Sequence, residues 1–257
     1  MFKGVDFIFN GAPSEMYGVK IGAFNLRSTE TTLSGLQRSI EEYRIKRRSK
    51  PIFQGVEIKE KLEFDLLLFS EVEIDTYDRQ FIDSWLHQQS YKFFSIVQSD
   101  FEGLYFNCII TSSEKVEVGN IPYAKMMHVV CDDAYVYSNE YEYNFTSTST
   151  PKNVEIRSRS NINDYLYVED MTITTTSTTT VKITNNTDNT RLFEITGLAS
   201  GETITVDNDN KILTSSNSNN RVGNFNKKWF RLLPQKNIIR LEGNFNLNMK
   251  IRYKMTI

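Results

Sequence analysis

Alternation of apolar and polar positions is the dominant signal along the chain. In EKLEFDLLLFSEVEI, Leu62, Phe64, Leu66 and Leu68 fall on one face, which predicts a half-buried strand. The rhythm then changes. In YDRQFIDSWLHQQ, Ile82, Trp85 and Leu86 recur at helical spacing with Phe81 adjoining. Asp75 or Thr76 stands where a cap belongs, and Ser90 and Tyr91 break the pattern, so one helix is predicted there. KFFSIVQ, LYFNCIITSSEKVEV and AKMMHVVCDDAYVYS read as further strands, with turns at Gly103 and the VGNIP segment. Residues 1–25 read as a hairpin around Asn10-Gly11, punctuated further by Gly18 and Gly22.

Two stretches lack this order. TETTLSGLQRSIEEYRIKRRSKPIFQGVEI is polar and irregular, and SNEYEYNFTSTSTPKNVEIRS reads as a linker. Beyond it the chain is rich in Asn, Thr and Ser. DMTITTTSTTTVKITNN is low in complexity but β-branched, which suits a solvated strand better than disorder. Strand pairs are predicted around turns at Gly197–Gly201 and Asp207–Asn210, and alternation at Ile239, Leu241, Leu247, Met249, Ile251 and Tyr253 closes the chain. The expectation is a mainly β protein of two domains, 1–138 with the one helix and 139–257 as an all-β sandwich.

Composition narrows the class. Phe and Tyr are frequent at 17 and 13 copies among 257 residues, against 5 prolines, which suits large aromatic cores. A net charge of −2 gives no global reason to wrap nucleic acid or dock on an anionic membrane. No apolar run approaches the ~18 residues that span a bilayer. Asp6 and Asn10 interrupt the opening, so it does not read as a signal peptide, and synthesis in a cytoplasm is expected. NFT at 144–146 and NNT at 185–187 then read as chance matches to the glycosylation pattern.

Little in the sequence points to chemistry. It has no nucleophile elbow, phosphate-cradling loop, HExxH or CxxC. Cys108 and Cys131 read as buried free thiols on strands that could be neighbours, and neither is part of a metal-spaced cluster. The acidic clusters EVEID and CDDAY read as solvated strand ends in preference to paired catalytic carboxylates. DNDNK at 207–211 is similar to the start of a calcium loop but lacks its glycine and distal glutamate, so a hairpin turn is expected. His87 suits a helix C-terminus, and His128 reads as a strand residue facing a neighbour. No cofactor is implied, and an enzyme that degrades cell wall is the least supported reading.

Two groups remain as candidate contact residues. Arg44, Lys46, Arg47, Arg48 and Lys50 form a basic cluster without interleaved aromatics, which favours a loop touching another subunit over a nucleic-acid site. Trp229, Phe230, Tyr165 and Tyr167 offer rings for a sugar platform. The competing reading is that Trp229 and Phe230 alternate, one into the core and one at the surface or an interface.

FIFNGAPSEMYGVKIG resembles the start of the distal tail protein family of long-tailed, non-contractile bacteriophages. DRQFIDSWLHQQSYKFFSIVQSD looks like that family's lone helix and following strand, and EGLYFNCIITSSEKVEV is similar to the next strand. GETITVDNDNKIL and FNKKWFRLLPQKNIIRLEG resemble its closing pattern, with Gln235 where glycine is common. The resemblance implies an N-terminal ring-forming domain, six copies around a channel that DNA passes through, and a C-terminal sandwich that is galectin-like or like a carbohydrate-binding module. It implies as partners further copies, the tail tube protein, tail-tip proteins, and in some phages a receptor-binding protein or host glycans. It also places the protein at the distal end of the virion tail. The early hairpin is then expected to pair with a neighbouring copy, because a ring removes sheet edges.

Overall fold

In a computed structural model, described for residues 4–24, 38–58, 61–116, 121, 123–217 and 220–256, the chain is mainly β and forms two compact units, one up to Tyr137 and the other Ser138–Met255. The first part of the polar stretch, 29–37, and most of the VGNIP turn lie outside the described residues.

The first unit contains β1 (Phe7–Phe9), β2 (Ala12–Pro13), β3 (Lys20–Phe24), β4 (Arg38–Tyr43), β5 (Ile52–Ile58) and β6 (Glu63–Ser70). Helix α1 (Thr76–Leu86) follows, then β7 (Lys92–Ile96), β8 (Leu104–Lys115) and β9 (Tyr123–Cys131). The next strand, β10 (Val136–Ser147), begins here and continues into the second unit. Within the first unit the strands run β2–β1–β7–β8–β9–β6–β3, all antiparallel where they pair. Val5 and Ile21 exchange two backbone hydrogen bonds of 2.9 Å, bringing the ends of the run together.

Asn10 and Gly11 make the β1–β2 turn with φ of 51° and 77°, the left-handed pair that matches strand twist. The Ser14 hydroxyl accepts from the Phe7 N–H at 3.1 Å. Strand β1 pairs with β7 on one side, and on the other with β2 and, through Val5, with β3. The expected pairing of this hairpin with a neighbouring copy is therefore not needed, because its partners lie within the chain.

Helix α1 begins at Asp75, whose carboxylate accepts from the Asp78 N–H at 2.8 Å. Ile82, Trp85 and Leu86 are buried as their spacing requires. Trp85 fastens the helix to the N-terminal strands. Its indole N–H donates to the Phe9 carbonyl at 3.1 Å, and its ring stacks on Tyr17 at 3.9 Å and on Phe7 at 5.6 Å. Phe81, expected beside the buried stripe, lies 60% exposed. Strand β6 buries Phe64, Leu66 and Leu68 on one face and Leu67 and Phe69 on the other, so it is central, not half-buried. Gly22 of β3 passes so close to the Phe69 ring that a β-carbon there would lie 2.9 Å from it.

The second unit adds β11 (Lys152–Arg157), β12 (Leu166–Tyr167), β13 (Asp170–Thr175), β14 (Thr179–Asn185) and β15 (Arg191–Leu198). It is completed by β16 (Thr203–Asp207), β17 (Ile212–Ser215), β18 (Arg231–Leu232), β19 (Lys236–Glu242) and β20 (Phe245–Met255). One sheet runs β17–β16–β13–β20–β10 and the other β15–β14–β19–β11, with β12–β18 as a short extra pair. Their apolar faces share one core of Met171, Ile173, Val181, Ile183, Phe193, Leu241 and Leu247 among others, which makes a β-sandwich. The threonine-rich run supplies β13 and β14, with Met171 and Ile173 inward and Thr172 and Thr174 between. The stretch read as a linker forms most of β10 and then β11, because Tyr141, Tyr143 and Phe145 alternate and pack on the core.

Two polar devices hold this sandwich. Asn237, fully buried, accepts from the Leu233 N–H at 2.8 Å and donates to its carbonyl at 2.9 Å, closing the turn through Pro234 and Gln235. Asn185 donates to Asn237 Oδ1 at 2.9 Å and to the Arg231 carbonyl at 3.1 Å. Gln235 has φ of 68°, a left-handed geometry that glycine adopts without strain. Elsewhere Glu202, fully buried, receives two 2.7 Å bonds from the Arg221 guanidinium and one of 2.7 Å from the Ser215 hydroxyl.

Replacing Gln235 by Gly relieves the left-handed strain, and we expect a gain of about 1 kcal/mol in denaturant unfolding. The Arg221 guanidinium holds the Glu202 carboxyl at about 2, below its ordinary 4.5, and the Ala199 N–H and Ser215 add to this. A depressed carboxylate stabilises fully above its unfolded pKa and loses that contribution as pH falls through the folded one. Stability measured between pH 4.5 and about 2 therefore falls more steeply in the wild type than in Glu202→Gln. At neutral pH that variant, which leaves Arg221 without a counter-charge, costs about 3 kcal/mol.

Candidate functional site

Strands β4 and β5 pair only with each other among the described residues, as a separate two-stranded sheet. Ile40 faces Val56 and Tyr43 faces Ile52 across the hairpin, and a bulge follows where Gly55 opposes Glu41 but Phe53 opposes Glu42. The large apolar side chains are open to solvent, with Ile40 67% and Phe53 62% exposed and Tyr43, Ile45 and Val56 also uncovered. The part of the stretch at 38–58 that reads as irregular is thus a bulged hairpin most of whose large apolar side chains are open to solvent.

The basic cluster forms the tip of this hairpin. Arg44, Lys46, Arg47, Arg48 and Lys50 are exposed, and none forms an ion pair among the described residues. Arg47 takes φ of 76°, and the Arg48 N–H donates to the Ile45 carbonyl at 3.1 Å to close the turn. A hairpin of two strands is marginal by itself in water. This one leaves apolar side chains and a cationic turn open to solvent.

The aromatic group in the second unit divides. Phe230 is 2% exposed and belongs to the core, which removes it from any surface platform. Trp229 is not turned away from the core: it is half-buried and packs on the same cluster, with its ring 4.9 Å from that of Phe225. Tyr165 and Tyr167 meet edge to face at 5.6 Å. Basic side chains from elsewhere lie over these rings. Lys211 Nζ sits 3.3 Å from the Tyr167 centroid and 5.6 Å from that of Trp229, and the Arg231 guanidinium lies 4.1 Å from that of Tyr165. Arg231 is itself held by Asp188 through bonds of 2.6 and 3.0 Å. Three of the four predicted rings therefore converge, but their neighbouring cations already occupy ring faces that sugar stacking would use. Nothing in the sequence pattern points to Lys211 and Arg231 here: pairing of β12 with β18 brings in Arg231, and the β16–β17 turn brings in Lys211.

The other candidates have local roles. The Cys108 and Cys131 thiols are buried and directly opposite on β8 and β9, and burial pushes Cys108 up to about 12 and Cys131 upward as well. In CDDAY, Asp132 accepts from Asn107 at 2.6 Å and from the Tyr137 hydroxyl at 3.1 Å, and Asp133 accepts from the Ala134 N–H at 2.7 Å. The Asp207 carboxylate in DNDNK accepts two 2.8 Å bonds from Asn210, which makes the segment a self-closed turn. His87 lies at the helix C-terminus with Nδ1 2.9 Å from the Asp83 carbonyl, and His128 faces Asp65 across β9 and β6 at 2.8 Å. No group of three or more potential metal ligands occurs among the described residues, and no described helix is long and apolar enough to cross a membrane.

The described residues thus form an antiparallel, two-unit protein with one hairpin whose apolar side chains are open to solvent and with no cluster of potential metal ligands. The family described as phage tail protein N-terminal domain matches residues 2–133, and its companion, phage tail C-terminal domain, matches 135–253. The chain belongs to this phage tail protein family. Its fold is similar to that of the crystal structure of the Dit protein (gp 19.1) of phage SPP1, described as a paradigm of the hub adsorption apparatus in phages infecting Gram-positive bacteria. The TM-score is 0.68 at 11% identity, over 98% of this chain and 100% of that one. No curated protein matches the sequence.

The two aromatic positions separate packing from surface contact. Trp229→Ala opens a gap beside Phe225, and we expect it to cost about 3 kcal/mol in denaturant unfolding. Tyr165→Ala, at an exposed ring, is expected to cost less than about 1 kcal/mol.

Proposed function

We propose that this chain is a distal tail protein, a structural subunit that forms a ring of six copies joining the phage tail tube to the tail tip. The ring surrounds a channel through which DNA passes, and the protein acts by geometry without catalytic turnover. The observation that carries this reading is the end-to-end likeness, across both units, to a protein whose description places it in a hub adsorption apparatus. The uncovered β4–β5 hairpin supports it independently, since its apolar side chains and its basic tip at Arg44, Lys46, Arg47, Arg48 and Lys50 call for contact with another subunit or with the tube protein. Further tail-tip proteins are expected as partners at the distal end of the virion.

The second reading gives the sandwich a role in adsorption to host cell-wall glycans. Tyr165, Tyr167 and Trp229 favour it by converging, but the cations over those rings and the burial of Phe230 leave Tyr165 as the most accessible ring. Glycan binding that is lost in Tyr165→Ala, in a protein that still forms its ring, would establish that added role.

Light scattering coupled to size exclusion, at several concentrations, tests the ring. The expected mass is about six times the 29.9 kDa of one chain. In a variant with Ile40→Ser and Phe53→Ser the mass is expected to fall to that of one chain, with an unchanged unfolding midpoint because neither side chain is buried. A wild-type chain that stays monomeric throughout argues against a ring intrinsic to this protein.

A further inference from the structure

The hairpin has a complement on the first unit's own surface. In α1, Tyr77 and Phe81 are neighbours four residues apart, 76% and 60% exposed. The Phe81 ring lies 5.6 Å from that of Tyr17, and beside Tyr17 stands exposed Met16, so an uncovered apolar patch joins the helix to the turn after β2. Acidic residues adjoin it in sequence. Residues 71–78 carry four acids, Glu71, Glu73, Asp75 and Asp78, and Glu15 adjoins Met16. The one base among the helix residues between Tyr77 and Phe81, Arg79, turns its side chain to donate to the Ile74 carbonyl at 3.0 Å. Asp75 caps the helix, and none of these five carboxylates forms an ion pair among the described residues. Opposite in character, residues 44–50 carry five bases and no acid, next to exposed Ile40, Tyr43, Phe53 and Val56. Within one chain neither surface covers the other, since both are open to solvent.

We infer that the β4–β5 hairpin of one copy seats on the α1 face of the next, its apolar side chains against Met16, Tyr77 and Phe81 and its basic tip against the acids at 71–78. This rests on the ring reading and adds to it the surface that receives the hairpin. The pairing follows from three matched properties: each surface is apolar, each is uncovered, and their flanking charges are opposite. Because donor and acceptor surfaces differ, the contact is head-to-tail. Such contacts propagate from copy to copy and end only when a ring closes.

A charge-swap cycle tests it, read as the protein concentration at half-assembly by light scattering. Arg47→Glu with Arg48→Glu is one pair of changes, and Glu71→Lys with Glu73→Lys is the other; all four positions are exposed. Each pair alone should raise that concentration at least about tenfold, and both pairs in one chain should return it to within about threefold of wild type. If the hairpin pair weakens assembly while the helix-side pair leaves it unchanged, the hairpin seats elsewhere. The docking inference then fails and the ring stands. Failure of the combined variant to recover, with an unchanged unfolding midpoint, also overturns the contact.

Cross-linking gives a second measurement that does not depend on charge. A Phe53→Cys chain is mixed with a Tyr77→Cys chain and treated with a bifunctional maleimide. The native thiols at 108 and 131 are buried, so they stay out of the reaction. A covalent dimer on a denaturing gel is expected, and its absence from assembled material overturns the contact. A wild-type chain that never assembles argues against a ring intrinsic to this protein and overturns this contact with it.

Discussion

A β-strand has two hydrogen-bonding edges, and each edge must be paired or protected. That constraint organises the first unit. β1 is only three residues long, yet both of its sides are occupied, by β7 and by β2 with the Val5–Ile21 bridge beyond it. Trp85 then ties α1 to the same place by donating to the Phe9 carbonyl and stacking on Tyr17 and Phe7. The N-terminal strands are thereby a fixed support for the helix. The β4–β5 hairpin, by contrast, has no neighbouring strand among the described residues and no buried face. The two hairpins thus differ sharply: one is built into the sheet, and the other leaves its apolar side chains open to solvent.

In the second unit the same constraint is met by two sheets closing on one core, and the exceptions are handled by buried side chains. Asn185 and Asn237 supply hydrogen bonds to backbone that the sheets leave unpaired around the β18–β19 turn. Glu202 does similar work near Ala199, whose N–H it accepts at 2.8 Å while Arg221 balances its charge. These are structural uses of polar residues. A tail component needs this kind of rigidity more than it needs a reactive group.

How much of this was legible depended on whether a strand buries one face. Ile239 to Tyr253 announced themselves because one side of each strand meets a core. Phe64, Leu66 and Leu68, with Leu62 just before them, showed one buried face of β6, while Leu67 and Phe69 on its other face went unread. The helix was legible down to its Asp75 cap and its buried triplet. β4 and β5 were not, since a hairpin with neither face covered is under no pressure to alternate. β10 was hidden for another reason: Asn, Glu and Ser between Tyr141, Tyr143 and Phe145 give the segment the composition of a linker. Of the candidate contacts, the basic cluster could be read from composition alone, whereas Lys211 over Tyr167 could not, because residues 44 positions apart meet only through the sheet topology. Gln235 was visible as a departure from a glycine, and its φ is one that glycine adopts without strain.

The hairpin tip also bears on which encounters go wrong. A chain that carries an apolar, two-stranded edge through a crowded solution risks sticking to its own kind edge to edge. Here two tips approaching each other bring five positive charges from each side into one small volume, and the bulge after Glu41 disrupts the flat edge that extended pairing needs. Like charge thus acts as a kinetic filter. It disfavours symmetric, tip-to-tip pairs while leaving free any approach to an acidic surface.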